Sequence, residues 1–245
     1  MDALAAQTIP PSGAFGFLLS TAFTDPTNQG GAAILGVMNF DGAGKVRGPF
    51  TLEYGSGGSL PVETINGTFD GTYSSNSGGT GSIAIALGNG VNITLDMVID
   101  DGADGLELVA ASCSGAAGID LSASVLSGVG VHAKPYTTLT GSYGYLFTLS
   151  PQPSAEIGVV SFDSAGNVTM SGTFVGAGPS VITGTFTGTY TVNSNATGTI
   201  TLAATPTQSV QTFAFVTTND GKSGLLLLQT NRSGNGVLFG TGHLQ

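Results

Sequence analysis

The chain is written twice. Gly13-Ala14-Phe15-Gly16-Phe17-Leu18-Leu19 returns as Gly141-Ser142-Tyr143-Gly144-Tyr145-Leu146-Phe147, and Gly36-Val37-Met38-Asn39-Phe40-Asp41 returns as Gly158-Val159-Val160-Ser161-Phe162-Asp163. Asn66-Gly67-Thr68-Phe69-Asp70-Gly71-Thr72-Tyr73 returns as Thr183-Gly184-Thr185-Phe186-Thr187-Gly188-Thr189-Tyr190, and Val125-Leu126-Ser127-Gly128-Val129-Gly130 as Val237-Leu238-Phe239-Gly240-Thr241-Gly242. The register shifts are 128, 122, 117 and 112 residues in chain order, so the copies differ by short insertions and deletions in loops. A duplicated unit must fold twice. Scaffold residues recur in both copies, whereas residues of a functional site need not.

Strand signals follow one another at about ten-residue spacing, separated by Gly, Asn, Asp or Pro. The first copy carries them near 14–22, 32–40, 45–54, 64–74, 80–87, 91–99, 105–111 and 121–131. The second carries them near 142–149, 156–162, 167–174, 181–192, 197–204, 210–217, 223–230 and 235–243. No segment shows a 3.6-residue apolar period. The expected fold is therefore all-β: two antiparallel up-and-down barrels of about eight strands each, in tandem, since closure removes the sheet edges. The organisation expected is an extended lead over 1–12, a first barrel over 13–131, a linker over 132–140 and a second barrel over 141–245. Within one strand, Phe69, Gly71 and Tyr73 face the barrel interior while Thr68, Asp70 and Thr72 face out.

Some strands are apolar on both faces. Leu225-Leu226-Leu227-Leu228 is the clearest, followed by Ile34-Leu35-Gly36-Val37-Met38. Such a strand needs cover on its outer face, either from the other barrel or from a second molecule. Leu35, Val37, Leu226 and Leu228 are thus candidate assembly residues. Ile9 and Pro10 join them, because the N-terminal lead has no barrel before it and is free to add to a neighbouring protomer.

Gly accounts for 40 residues and charged side chains for only 8%, yet 40% of the chain is apolar, so a packed core is expected. The net charge of −10 leaves five scattered cations, Lys45, Arg47, Lys134, Lys222 and Arg232, too few for a nucleic-acid or anionic-membrane face. No stretch reaches the ~18 consecutive apolar residues of a membrane-spanning helix. Ala3-Leu4-Ala5-Ala6 has the small-residue character of the end of a secretory signal, so the expected setting is secreted or cell-surface, with the signal trimmed away. A single cysteine, Cys113, excludes an intrachain disulfide and reads as a small core residue.

Few chemical groups stand out. Asp100, Asp101 and Asp104 surround two glycines and form the one weak Ca²⁺ candidate, but EF-hand spacing is absent and a hairpin turn explains them. Asp41 and Asp163 recur, each before a glycine, and read as turn-forming side chains with Gly44 and Gly166 at positive φ. His132 and His243 have no metal-ligand spacing and no counterpart in the other copy. Glu53, Glu63, Glu107 and Glu156 do not recur, and three of them alternate outward or sit in loops. No nucleophile elbow, phosphate loop or zinc motif occurs, so no catalytic residue, metal site or cofactor is assigned. The interior side chains Phe69, Tyr73, Met97, Phe186, Tyr190 and Phe215 are the candidate ligand contacts if either barrel holds a molecule.

In both halves a Thr-Phe-x-Gly-Thr-Tyr strand precedes a Gly/Thr strand (Gly79-Thr80-Gly81 and Thr197-Gly198-Thr199). In that order the chain resembles the uncharacterised Gly/Thr-rich secreted tandem β-barrel proteins of bacteria, and more distantly the calycin-type barrels. It lacks Trp and hence the lipocalin Gly-x-Trp signature, so ligand binding is not implied by that likeness. Three roles are expected in descending order. They are a non-enzymatic secreted structural or surface protein that self-associates, a barrel that binds a small apolar ligand, and a cofactor-free isomerase- or cyclase-type enzyme.

Overall fold

The computed structural model describes residues 11–23, 31–55, 62–88, 90–100, 105–114, 125–150, 154–176, 181–204, 209–219, 224–232 and 236–245. Sixteen strands form two closed antiparallel barrels, and no helix occurs among the described residues. The first barrel comprises β1 (Ser12–Phe23), β2 (Ala32–Asp41), β3 (Lys45–Tyr54), β4 (Glu63–Ser75), β5 (Thr80–Leu87), β6 (Asn92–Ile99), β7 (Gly105–Ser114) and β8 (Val125–His132). The second comprises β9 (Gly141–Ser150), β10 (Ser154–Phe162), β11 (Asn167–Val175), β12 (Val181–Val192), β13 (Thr197–Leu202), β14 (Gln211–Thr218), β15 (Gly224–Gln229) and β16 (Val237–Leu244). Within each barrel every strand pairs with its sequence neighbours, and β1 closes on β8 as β9 closes on β16.

Alternation builds the interiors. Phe69 and Tyr73 on β4 are buried while Thr68, Asp70 and Thr72 are exposed, and Ile83, Ile85 and Leu87 alternate with exposed Ala84 and Ala86 on β5. The duplicated turns behave as their sequence predicts. Asp41 Oδ1 accepts from the Ala43 and Lys45 amides at 2.7 and 2.9 Å, and Asp163 Oδ1 accepts from Ala165 and Asn167 at 2.9 and 2.8 Å. Gly44 and Gly166 supply φ of +97° and +89°. The Lys45 amide on Asp41 and the Asn167 side chain on Asp163 hold both carboxyls below the usual range.

One end of each barrel is shut by the same aromatic triad. Phe40 meets Phe15 and Tyr73 edge-on at 5.5 and 4.9 Å; Phe162 meets Tyr143 and Tyr190 edge-on at 5.5 and 5.0 Å. The tyrosine then pins the incoming chain. Tyr73 Oη donates to the Pro11 carbonyl at 3.1 Å, and Tyr190 Oη, within reach of the Leu139 and Asp163 carbonyls at 2.7 Å each, accepts from the Leu139 amide at 3.1 Å. Pro11 and Leu139 are 128 residues apart, the repeat shift, so the two tyrosines hold equivalent positions. Tyr190→Phe strips partners from a buried cluster and is expected to destabilise by about 1–3 kcal/mol, more than Tyr73→Phe. Urea denaturation of the two variants checks the order.

The two-sided apolar strands face each other across the chain. Leu18, Ala33, Leu35 and Val37 of the first barrel pack on Val216, Leu226, Leu228 and Val237 of the second in one buried cluster. Gly16 permits the approach, because a Cβ there would stand 2.6 Å from Val216 Cγ1. Polar contacts flank the seam. Thr21 and Ser150 hydroxyls lie 3.2 Å apart, Thr64 donates to the Thr230 carbonyl, and the linker is held where the Lys134 amide donates to Thr217 and the Asn219 amide to His132. Leu35, Val37, Leu226 and Leu228 are therefore covered within a single chain. Ile9 and Pro10 lie outside the described residues.

Candidate functional site

The two barrels differ at the end opposite the tyrosine latch. In the first, Phe17, Ile34, Phe50 and Leu52 fill the mouth and are at most 4% exposed. The repeat shifts place Tyr145, Glu156, Gly172 and Phe174 at the corresponding positions of the second. A phenylalanine has gained a hydroxyl, an isoleucine has become a carboxylic acid, and a phenylalanine has lost its side chain.

These exchanges are one construction. Gly158, Gly172 and Gly184 are register partners across β10, β11 and β12, so three adjacent strands are reduced to backbone on one row. The space is taken by polar atoms. A Cβ on Gly172 would lie 2.1 Å from Tyr145 Oη and 2.7 Å from Glu156 Oε1, and one on Gly158 would lie 2.6 Å from Tyr145 Oη. Tyr145 Oη donates to Glu156 Oε1 at 2.6 Å, the short distance of a strong hydrogen bond.

The electrostatics follow from burial. Desolvation raises the Glu156 pKa, opposed by the Tyr145 hydrogen bond and by the positive charge of Arg232. Tyr145 is pushed well above the ordinary phenol range by burial first and by Glu156 second. Arg232, just beyond β15, is half-buried, its pKa is lowered by desolvation, and its Nε has no hydrogen-bond partner among the described residues. A buried donor without an acceptor is costly, and here it stands beside an acid in a chain with 8% charged residues. Phe174 and Phe186 are half-buried along the same mouth, so aromatic surface flanks the polar atoms.

Of the sequence candidates, Phe186 borders this mouth. Phe69, Tyr73 and Met97 lie in the packed core of the first barrel and Tyr190 and Phe215 in that of the second, with Tyr73 and Tyr190 engaged at the opposite, latched end. Asp100 is exposed at the end of β6; Asp101 and Asp104 lie outside the described residues, and no cluster able to hold a metal occurs among the described ones. Cys113 is half-buried on β7 and burial pushes its thiol up, away from nucleophilic reactivity. His132 stacks on Phe15 at 4.1 Å between centroids.

Glu156 does not face out. The strand Ala155-Glu156-Ile157-Gly158-Val159 turns Ile157 to solvent, 63% exposed, and Glu156 inward. The signal that finds it is the comparison of copies, which sets an acid against Ile34. Glu53 is a second acid hidden from the pattern: it lies on the outer face of β3, yet is 0% exposed, between Ala33 of the seam and Thr64, which bonds the second barrel's Thr230.

Two recesses lie outside the barrel interiors. A groove of about 530 Å³ between the barrels is walled by Thr51, Asn66, Asn193, Thr199 and Asn231, and an open dent of about 470 Å³ on the outer wall of β10–β12 by Ile157, Ser171, Thr173 and Thr183. Among the described residues neither is lined by a charged side chain.

Fold and site together define a tandem β-barrel protein with one apolar barrel and one barrel that carries an acid–phenol–guanidinium mouth. No family model matches the chain. No curated protein matches it. Among solved structures it is similar to Aeromonas veronii immune modulator A, at 13% identity and a TM-score of 0.31 over 96% of this chain and 95% of that one. It is similar also to kievitone hydratase from Nectria haematococca, at 11% identity and 0.28 over 100% and 92%. A third is CghA, at 9% and 0.26 over 100% and 93%. Scores at this level carry no argument about function.

Proposed function

We propose that this is a secreted, non-enzymatic binding protein whose second barrel holds a small, mainly apolar molecule by a carboxylate or ketone oxygen. The observation that carries the reading is the Tyr145–Glu156 pair set over the Gly158–Gly172–Gly184 row beside Arg232; Tyr145, Glu156 and Gly172 have no counterpart in the first copy. The Arg232 Nε–H seeks an acceptor, and Phe174 and Phe186 offer apolar surface beside it. Glu156 stays protonated to higher pH than an ordinary carboxyl, so it can donate to the same oxygen rather than repel it. Binding outranks self-assembly because Leu35, Val37, Leu226 and Leu228 are already buried against one another.

The test is thermal stabilisation by octanoate and 4-phenylbutyrate, with the corresponding primary amines as controls. At a hundredfold excess over Kd a ligand adds about 2.7 kcal/mol, a rise of about 5 °C or more in a chain of this size. The carboxylates are expected to stabilise the wild type and not Arg232→Gln. Equal stabilisation by the amines, or an unchanged response in Arg232→Gln, contradicts the assignment.

A second reading rests on the same raised pKa: a carboxyl poised to exchange a proton beside a phenol suits a cofactor-free isomerase. It predicts that Glu156→Gln keeps binding and loses turnover.

A further inference from the structure

Among the described residues Glu53 is the side chain with two buried polar atoms left without a partner. It is 0% exposed, and neither Oε1 nor Oε2 has a hydrogen-bond partner among the described residues. Its register partners are Ala33 on β2, a member of the apolar seam, and Thr64 on β4. Thr64 is the one group that opposes the effect of burial, but its single hydroxyl proton is committed to the Thr230 carbonyl of the second barrel. Among the described residues no charged group acts on Glu53. Ala33, Thr64 and Thr230 do not titrate, the adjoining Glu63 is exposed at the start of β4, Tyr54 turns into the first barrel's core, and Arg232 acts on Glu156 instead.

A carboxyl so placed is tolerated only when neutral. We propose that Glu53 makes the docking of the two barrels pH-dependent: its protonated form is sealed in the seam, and its ionisation breaks the Thr64–Thr230 contact and opens the groove between the barrels. Thr64 and Thr230 both line that groove, so its width follows the charge state of one side chain. The device is independent of the second barrel's mouth.

Burial raises the Glu53 pKa from 4.5 to about 7. With the docked value above the free one, docking is strongest below about pH 4.5, weakens between 4.5 and 7, and is fully weakened above 7. The full shift corresponds to a docking equilibrium weaker by up to about 300-fold.

Carbon-13 NMR of the full chain tests this. The Glu53 carboxyl is expected to titrate near pH 7, with the methyls of Leu35, Val37, Leu226 and Leu228 moving at the same midpoint and those of Leu52 and Leu202, inside the barrels, staying still. Glu53→Gln should hold the seam methyls fixed from pH 5 to 9; if that variant fails to fold, Glu53→Leu serves the same purpose. A Glu53 midpoint in the ordinary carboxyl range, seam methyls that ignore it, or the same titration in both wild type and Glu53→Gln overturns the proposal.

Discussion

Leu228→Asp is expected to destabilise the protein by about 3–5 kcal/mol, the cost of an unpaired charge in a buried apolar site. Leu228 is 0% exposed although it lies on the outer face of its barrel, because Leu18, Ala33, Leu35 and Val37 cover it. The seam is a third apolar cluster beside the two interiors, and an aspartate there cannot reach water without parting the barrels. Each barrel remains closed by its own hydrogen-bonded strands, so the loss falls on docking. Thr201→Asp, on an exposed position of β13 outside the groove, is the control and should change stability by less than about 0.5 kcal/mol. Urea unfolding of the pair measures the difference. Equal, small effects would mean that the seam contributes little to stability.

The second large effect is expected from one added methyl group. Gly172→Ala would set its Cβ 2.1 Å from Tyr145 Oη and 2.7 Å from Glu156 Oε1. Tyr145 is 2% exposed and its ring packs on Phe147 at 4.8 Å, so the phenol must be displaced and its bond to Glu156 broken. Overpacking and the lost hydrogen bond destabilise by about 1–3 kcal/mol, and affinity for a bound carboxylate should fall by about tenfold or more. Restoring room with Gly172→Ala/Tyr145→Phe should recover stability but not binding. That split separates the structural role of the glycine row from its role in the site. If the single variant keeps both the stability and the ligand response of the wild type, the row is not what holds Tyr145 and Glu156 in place.

The repeat made the architecture legible. Phe69, Gly71 and Tyr73 against Thr68, Asp70 and Thr72 state the inward and outward faces of β4 directly, and the turns at Asp41 and Asp163 carry their own geometry. Alternation also marks Leu226 and Leu228 as needing cover; it does not say whether that cover is the other barrel or another molecule, because periodicity describes one sheet and not its neighbour. The same limit hides Glu53, which reads as an outward acid between Leu52 and Tyr54 until register sets it beside Ala33 of the seam. Tyr73 and Tyr190 read as lining residues because their partners, Pro11 and Leu139, lie in irregular leads with no strand pattern. The site itself was present as a mismatch between copies. Glu156 stands opposite Ile34, Tyr145 opposite Phe17 and Gly172 opposite Phe50, but these residues belong to three strands, and only register sets Tyr145 and Gly172 on one row with Glu156 two residues along β10 from it.

The most direct test of the account is a map of backbone amide shifts in the full-length protein as octanoate is added. Perturbations are expected to centre on Tyr145, Glu156, Phe174, Phe186 and Arg232, in the mouth of the second barrel. Perturbations centred on Phe69, Tyr73 and Met97, or on the groove at Thr51, Asn66 and Thr199, or none at all, would contradict it.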